Sequence, residues 1–532
     1  MFISYDFIVF LLLLFFLYYI VPRKFQWVVL LIANFIFYCS AGKWYWAFIL
    51  VSAISLYFAG IGLNKQDEKR KRFETDEKNK GIPVDVLKEK RKQFKKKIEK
   101  KRKLIMLCCL LFNLGILAVT KYTNFAIFSF RELFHAEGEF HGLNLIVPLG
   151  ISFYTFQGIA YLLDVYWNRC APQRNFLKFL LFISFFPQLV QGPISRYSDL
   201  SKTLYEKHEF DIMRIRDGVE RILWGYFKKL VIADRIAPAV AMIASDTEHY
   251  TGWFVFLGMM FWAIQLYADF TGGIDIVIGI AKVLGIDVTE NFERPFFSKN
   301  IAEYWRRWHI TMGTWFRDYV FYPMSISKPL KKLTGFVKKH VGNGAARRVS
   351  IYISTITLWF TTGIWHGAAW FYVVWGLANG IIIIISEELK PLYERFHQRF
   401  PNLVGSVGYQ GFQVLRTFLL MSCLRMFDIY GSVETTFKQF FHMFSQIRFE
   451  QFQLTELFEM GLSMADYIIV IIGVIAMFLV SYWGRSVRFQ KRIENKSYGM
   501  HFVLILTLFF SILLLGQYGV GYDAKQFIYN QF

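Results

Sequence analysis

A histidine stands among tryptophans in GIWHGAAWFYVVWG (363–376), a stretch otherwise apolar or small. An imidazole in hydrocarbon is costly unless it faces a cavity or has a partner, so His366 is the first candidate for chemistry. With an ordinary pKa of about 6.5, it could take a proton from a hydroxyl attacking an acyl carbon. A histidine hydrogen-bonded to a carbonyl at a helix break would account for the same residue without chemistry. Gly363, Gly367 and Ala368 would leave room for a substrate beside the ring. The second candidate is His309 in WRRWH (305–309). Its neighbours Arg306 and Arg307 carry guanidinium forks suited to phosphate or pyrophosphate, or to lipid headgroups. Asp269 and Asp275, in YADFTGGIDI, flank a glycine pair; helix caps, hydrogen bonds across a cavity and a proton relay are all open readings. No P-loop, HExxH, GxSxG or dinucleotide fingerprint occurs in a suitable context. The five cysteines lack metal-ligand spacing, and no metal site is expected.

The elements that must hold these residues are membrane helices. Of the 532 residues, 55% are hydrophobic, in runs such as FIVFLLLLFFLYYI, LIMLCCLLFNLGILAV and FVLILTLFFSILLLG. Each approaches the roughly 20 residues that span a hydrocarbon core. One run could be a signal peptide or an anchor; a dozen make a polytopic helical membrane protein. The first run has no basic segment before it or small-residue cleavage site after it, so it reads as a membrane helix.

The net charge of +21 invites a nucleic-acid reading, but its distribution argues otherwise. Residues 65–103 carry 18 Lys and Arg against 8 Asp and Glu, nearly half the surplus, between two apolar runs. The positive-inside rule places this segment in the cytoplasm as a charged helical excursion near an anionic leaflet. Segments 328–348, 387–400 and 484–496 follow it, and the acidic 131–147 and 428–466 loops lie outside. About twelve crossings satisfy these sides: 7–20, 27–40, 44–63, 104–130, 147–165, 218–243, 253–270, 349–365, 369–386, 408–427, 467–482 and 500–516. Both termini then lie outside. Segments 176–194 and 272–286 read as re-entrant, and 301–323 as one amphipathic helix on the cytoplasmic interface.

In order along the chain, PQLVQGPISRY, LYADFTGGIDIVIGIAKVLGI, ENFERPFFSKNIAEYWRRWHITMGTWFRDYVFYP and GIWHGAAWFYVVWGLANG resemble the membrane-bound O-acyltransferase (MBOAT) family. The nearest branch contains alginate O-acetyltransferases and the D-alanyl-teichoate transferase. Gly273 and Ile274 stand where alginate-type members usually have Tyr-Ser, so the acceptor or partner is expected to differ from alginate. The resemblance implies an all-α polytopic fold of about 11–12 transmembrane helices plus re-entrant and interfacial helices around a central tunnel. Residues 1–63 would form N-terminal transmembrane helices, 64–103 a basic cytoplasmic insertion, 104–400 the catalytic core, and 401–532 the C-terminal helices and tail.

By the same resemblance His366 is the essential histidine and His309 its cytoplasmic-side companion. Trp305, Arg306, Arg307, Trp365, Asp318 and Asp269 are expected around the substrates. The terminal FIYNQF is similar to endings in which a tyrosine accepts the acyl group transiently, which makes Tyr529 a candidate relay; an aromatic anchor for the tail would explain it equally. The implied reaction moves an acyl group, acetyl first, from a cytoplasmic thioester to a hydroxyl reached from the opposite face. The donor would be acetyl-CoA or an acyl carrier protein, with no bound cofactor. The acceptor would be a cell-envelope or secreted polysaccharide, reached directly or through an extracytoplasmic acetyltransferase, at a bacterial cell membrane. D-alanyl transfer to teichoic acid is the alternative. A transporter or flippase is the rival class, which inverted repeats would favour.

Overall fold

The computed structural model describes residues 2–79, 84–136, 138, 140–484, 489–519 and 522. The N-terminal helix α1 (Tyr5–Ile20) is capped by Ser4, whose hydroxyl accepts from the Phe7 N–H. It leads through a tight turn to α2 (Gln26–Ala41). The next two apolar runs continue without a break into the basic segment, as α3 (Tyr45–Asn79) and α4 (Val84–Leu117). These form an antiparallel hairpin, held by Phe73 stacked on Phe94 at 4.0 Å and by an Arg102–Asp67 ion pair at 2.7 Å. A π-helical turn, Ala118–Tyr122, joins α4 to α5 (Thr123–Leu133).

After an extended stretch come α6 (Ile151–Tyr166), α7 (Phe176–Ser184), α8 (Phe186–Gln191) and α9 (Tyr197–Leu204). The expected re-entrant piece is broken, at Phe185 between α7 and α8, with Pro187 in the first turn of α8. Next, α10 (Ile212–Tyr226), a π-helical stretch (Phe227–Ala233) and α11 (Asp234–Ser245) form one rod.

The helix α12 (Trp253–Val283) corrects the sequence reading. It runs 31 residues through Gly272-Gly273 where a break and a re-entrant segment were expected. The glycines serve close approach instead. A Cβ on Gly225 would stand 2.6 Å from the Gly272 carbonyl, and one on Gly279 would stand 2.7 Å from that of Gly218. Two glycines on each rod let the α10 and α12 backbones touch, the usual device where lipid gives helices no hydrophobic drive to associate.

The segment read as one interfacial helix is also different. It splits into α13 (Ile301–Arg307) and α14 (Ile310–Phe316), followed by a π-helical turn (Arg317–Phe321) and α15 (Tyr322–Ser325). The break at Trp308–His309 buries both residues. The chain continues through α16 (Lys328–His340), α17 (Asn343–His366), α18 (Trp370–Glu388), α19 (Lys390–Arg399), α20 (Pro401–Gly405) and α21 (Val407–Leu424). The region read as an outer loop carries α22 (Met426–Tyr430), α23 (Val433–Ser445) and α24 (Leu454–Glu459). Two apolar helices, α25 (Met464–Trp483) and α27 (Tyr498–Leu515), flank the short α26 (Phe489–Ile493).

Seven stretches are individually long and apolar enough to cross a bilayer, and no strand occurs among the described residues. This is an all-α, multi-pass membrane protein. Large side chains such as Phe16, Ile471 and Leu514 are exposed around it, the outside of a protein solvated by lipid. Its interior is aromatic: Tyr154, Phe179, Phe182, Trp308 and Trp375 are fully buried.

Candidate active site

The helix α17 ends at His366 because Gly367 is extended, at φ −172° and ψ 160°, before α18 begins. The two helices then cross at glycine. A Cβ on Gly376 would lie 2.4 Å from the Trp359 carbonyl, and one on Gly363 would lie 2.5 Å from that of Tyr372. A Cβ on Gly367 would meet the Tyr372 ring at 2.1 Å. The space the sequence seemed to reserve for a substrate at Gly363 and Gly367 is therefore filled by α18. The imidazole itself is buried, edge-on to Trp375 at 4.6 Å and to Trp365 at 5.1 Å.

Open space lies at a different wall of His366, in a cavity of about 260 Å³ that it shares with Trp365, Lys121, Ser152, Phe153 and Val190. Lys121 belongs to the π-helical turn after α4, the kind of irregularity that re-aims side chains at functional sites. Its ammonium donates to the Trp365 carbonyl at 3.1 Å, and the Tyr122 hydroxyl donates to the Ile364 carbonyl at 2.8 Å. Two carbonyls that the end of α17 leaves without intrahelical partners are thus satisfied from α4's side. Sequence reading passed over Lys121, although a lone lysine inside the 104–130 apolar run is itself a signal.

His309 is reached through one indole. Trp365 contacts both rings, with its centroid 5.1 Å from His366 and 5.9 Å from His309. His309 adopts a left-handed conformation, φ 47°, that a non-glycine residue holds only when its surroundings impose it. Asn291 imposes it. Its backbone carbonyl accepts from the Ile310 N–H at 2.9 Å, and its Oδ1 accepts from the Thr311 N–H at 3.1 Å and the Thr311 hydroxyl at 2.9 Å. The same Oδ1 lies 3.2 Å from His309 Nδ1. A backbone N–H can only donate, so the atom facing it is oxygen, and His309 Nδ1 must carry the hydrogen. That leaves Nε2 of the neutral ring as the acceptor. Asn291 lies in the quoted ENFERP motif but was not singled out.

Arg425 is a second residue that the sequence reading passed over. It lies between α21 and α22, buried, its guanidinium 4.6 Å from the Trp375 ring, 5.5 Å from Trp308 and 5.9 Å from Trp305. Asp428 pairs with it at 3.0 Å. Trp305 is packed edge-on against Trp359 at 4.7 Å in this same aromatic group. Arg307 is held by Glu303 at 2.6 Å, whereas Arg306 is exposed. Asp318 pairs with Arg196 and, at 2.8 Å, with Arg317. Burial raises its carboxyl, but the Arg317 and Arg196 guanidinium groups outweigh that and hold it below the usual carboxylate range. Asp269 lies apart from the histidine group's own contacts, ion-paired to Lys229 across α12 and the π-helical stretch. Tyr529 lies outside the described residues.

A buried pair of histidines thus flanks one tryptophan beside an internal cavity of an all-α, polytopic membrane protein. Residues 171–427 match the family described as MBOAT, membrane-bound O-acyltransferase family. It is 32% identical over 281 residues to the "Probable alginate O-acetylase AlgI" of Azotobacter vinelandii, covering 52% of each chain. To the peptidoglycan O-acetyltransferase of Helicobacter pylori it is 30% identical over 333 residues, 57% of this chain and 59% of that one. To the teichoic acid D-alanyltransferase of Bacillus subtilis it is 31% identical over 243 residues, 45% and 59% respectively. The match spans about half the length of these relatives.

Proposed function

We propose that this protein is an O-acyltransferase of the bacterial cell membrane. It moves an acetyl group from a thioester on its basic, cytoplasmic side to a hydroxyl of a cell-envelope or secreted polysaccharide approached from the other side. The observation that carries this reading is the Trp365 indole touching both buried histidines, with the 260 Å³ cavity on one wall of His366. His366 takes the proton of the acceptor hydroxyl as its oxygen bonds to the acyl carbon; the thiolate leaves and recovers that proton. The Lys121 ammonium beside the cavity supplies positive potential where the carbonyl oxygen gains charge. His309, fixed by Asn291, lines the donor approach, and the exposed Arg306 offers a cation to the phosphates of acetyl-CoA. Enclosure by aromatic side chains orients the reactants and excludes hydrolysis.

The names of the relatives support acyl transfer to envelope polymers, and two of the three cited are O-acetyl transferases by name. The similarity to a teichoic acid D-alanyltransferase supports a second reading, D-alanyl delivered by a carrier protein. In either case Tyr529 is proposed as a transient acceptor that divides the direct transfer into two steps, His366 taking the proton of the attacking phenol and then of the acceptor hydroxyl and returning it to the group that leaves. Its phenol oxygen would bond to the acyl carbon as the thiolate leaves, and the phenol is released when the acceptor hydroxyl takes the group. Mass spectrometry of the C-terminal peptide, from wild type and His366→Ala supplied with acetyl-CoA, tests both points. An adduct in the wild type alone supports the relay and its mass identifies the group. Acceptor acylation at wild-type rate by His366→Ala would end the proposal.

A further inference from the structure

A larger cavity than the one at His366 lies elsewhere, between α10 and α12 on one side and α25 and α27 on the other, with a volume of about 580 Å³. It is a shaft. Its wall on α25 recurs at helical spacing from Ile469 to Val480, and on α27 from Leu504 to Leu515. Eleven residues of helix rise about 16 Å, over half of a hydrocarbon core of roughly 30 Å. Little of α25 or α27 is buried in the rest of the protein, and the faces they turn inward line this space.

The two ends differ. At the end beside α26, a charged collar rims the shaft. There Arg221 donates to both oxygens of Glu290, at 2.5 and 2.6 Å, and to Asp275 at 3.0 Å. Lys228 reaches Asp275 at 2.6 Å and Thr271 at 2.8 Å. These charges satisfy one another, so the collar makes a polar rim without demanding a counter-ion from a ligand. The mouth is completed by Phe489 and Ile493 of α26, a helix that also carries Lys491 and Arg492. Beyond the collar, the shaft is bordered mainly by aliphatic side chains up to Leu515.

Protein interiors are close-packed, and voids larger than a water molecule are few. A water takes about 30 Å³, and beyond the collar the mainly aliphatic wall offers it few hydrogen-bond partners. We infer that one glycerophospholipid occupies this shaft, an acyl chain between α25 and α27 and the phosphate at the mouth beside α26. The shape fits an amphiphile whose polar end sits at the basic leaflet, and basic pockets between membrane helices are the usual seat for lipid phosphate. This site is separate from the histidines and does not depend on the acyl-transfer reading.

At the far end of the shaft the Leu515 carbonyl accepts from Arg235, the Gln517 N–H donates to the Leu230 carbonyl at 2.9 Å, and the Tyr522 hydroxyl donates to Asp234 at 2.6 Å. These bonds tie the end of α27 to the α10 rod, so protein closes the far end of the shaft around the end of the acyl chain.

The full chain, extracted in mild detergent, is examined by native mass spectrometry. Wild type is expected to retain about one phospholipid per chain, and Ala476→Phe/Thr507→Phe, which fills the shaft, to lose it about tenfold. Ile471→Phe, on the lipid-exposed side of α25, is expected to keep it. Retention by the filled variant, a wild type without lipid, or a long-chain acyl thioester or detergent as occupant overturns the inference. Should the filled variant fail to fold, lipid with brominated acyl chains is titrated into delipidated wild type. Trp224 lines the shaft, so quenching that saturates at low lipid and disappears in Trp224→Phe supports the site. Quenching identical in both proteins overturns it.

Discussion

Two buried polar regions share this membrane fold, and they are built in opposite ways. Along the α10–α12 seam nearly every polar group is a full charge with a full countercharge. Lys229 pairs with Asp269 and with Asp234 at 2.8 Å, Lys228 with Asp275 at 2.6 Å, Arg221 with Glu290 at 2.5 Å, and Arg235 with Asp466. Around the histidines the neighbours are indoles and phenyl rings, and the nearby cations Lys121 and Arg425 are held by a carbonyl and by Asp428. The seam has bonded ions and glycine-to-glycine backbone contact, the arrangement of a rigid strut. The histidine region has a cavity and two imidazoles, groups that can exchange a proton without leaving a stranded charge. The difference teaches that an ionisable residue in a membrane helix is a functional candidate only until its partners are known. Asp269 and Asp275, read from sequence as open to a relay, belong to the strut's contacts.

Breaking each region separately tests the contrast. The largest expected effect is on chemistry. His366→Ala should lower acyl transfer by about 10²–10⁴-fold, with membrane levels and thermal midpoint unchanged, read by labelled-acetyl transfer alongside a melting assay. The strut should respond in the reverse sense. Asp275→Leu strands Lys228, while Arg221 keeps Glu290, and should cost about 3–5 kcal/mol, seen as loss of monodisperse protein in detergent. Replacing Lys229, Asp234 and Asp269 together by Met, Asn and Leu sharpens the point. The triple variant should be more stable than Lys229→Met alone, because no unpaired charge of this group remains in the interior.

A smaller effect is expected at the clasp. Asn291→Ala leaves the Thr311 N–H and His309 Nδ1 without their shared acceptor, at about 1–3 kcal/mol. It should lower transfer more than His309→Gln does if the clasp's role is to shape the donor end, and less if His309 itself does chemistry; steady-state kinetics on both variants decides. The smallest effect concerns pH. Because arginine pairing holds the Asp318 carboxyl below its ordinary value of about 3.9, its contribution to stability is present above that pH and is lost as pH falls further. Asp318→Asn should flatten the acid limb of the stability profile and leave the neutral plateau lower, as followed by melting temperature from pH 7 downwards.

Legibility tracked what was local. Runs of Phe, Leu and Ile announced the membrane helices, and the basic 65–103 segment announced a helical excursion, because hydropathy and charge act residue by residue. The candidate histidines were visible for the same reason: an imidazole in an apolar run is conspicuous wherever the chain goes. Glycine was the least readable residue. Gly272 and Gly273 read as a break but serve contact with Gly225 and with the Gln191 side chain, and Gly363 and Gly367 read as open space but receive α18. A missing side chain permits bending, access or close packing alike, and only the partner surface decides among them. Lys121 and Arg425 were conspicuous by the same standard as the histidines and were passed over because each sits in a run that otherwise reads as a plain crossing.

Composition and order alone determined that this chain is a helical membrane protein with histidines inside it, since burial of apolar side chains in lipid needs no knowledge of their neighbours. Which histidine meets which wall was decided only by the tertiary structure. His309 and Trp365 are more than fifty residues apart in the chain, and Asn291, Lys121 and Arg425 come from three further segments. Their meeting depends on helix crossings set by backbone contact at glycine and on π-helical turns that rotate one side chain out of register. Both are properties of pairs of surfaces, which no single stretch of sequence contains.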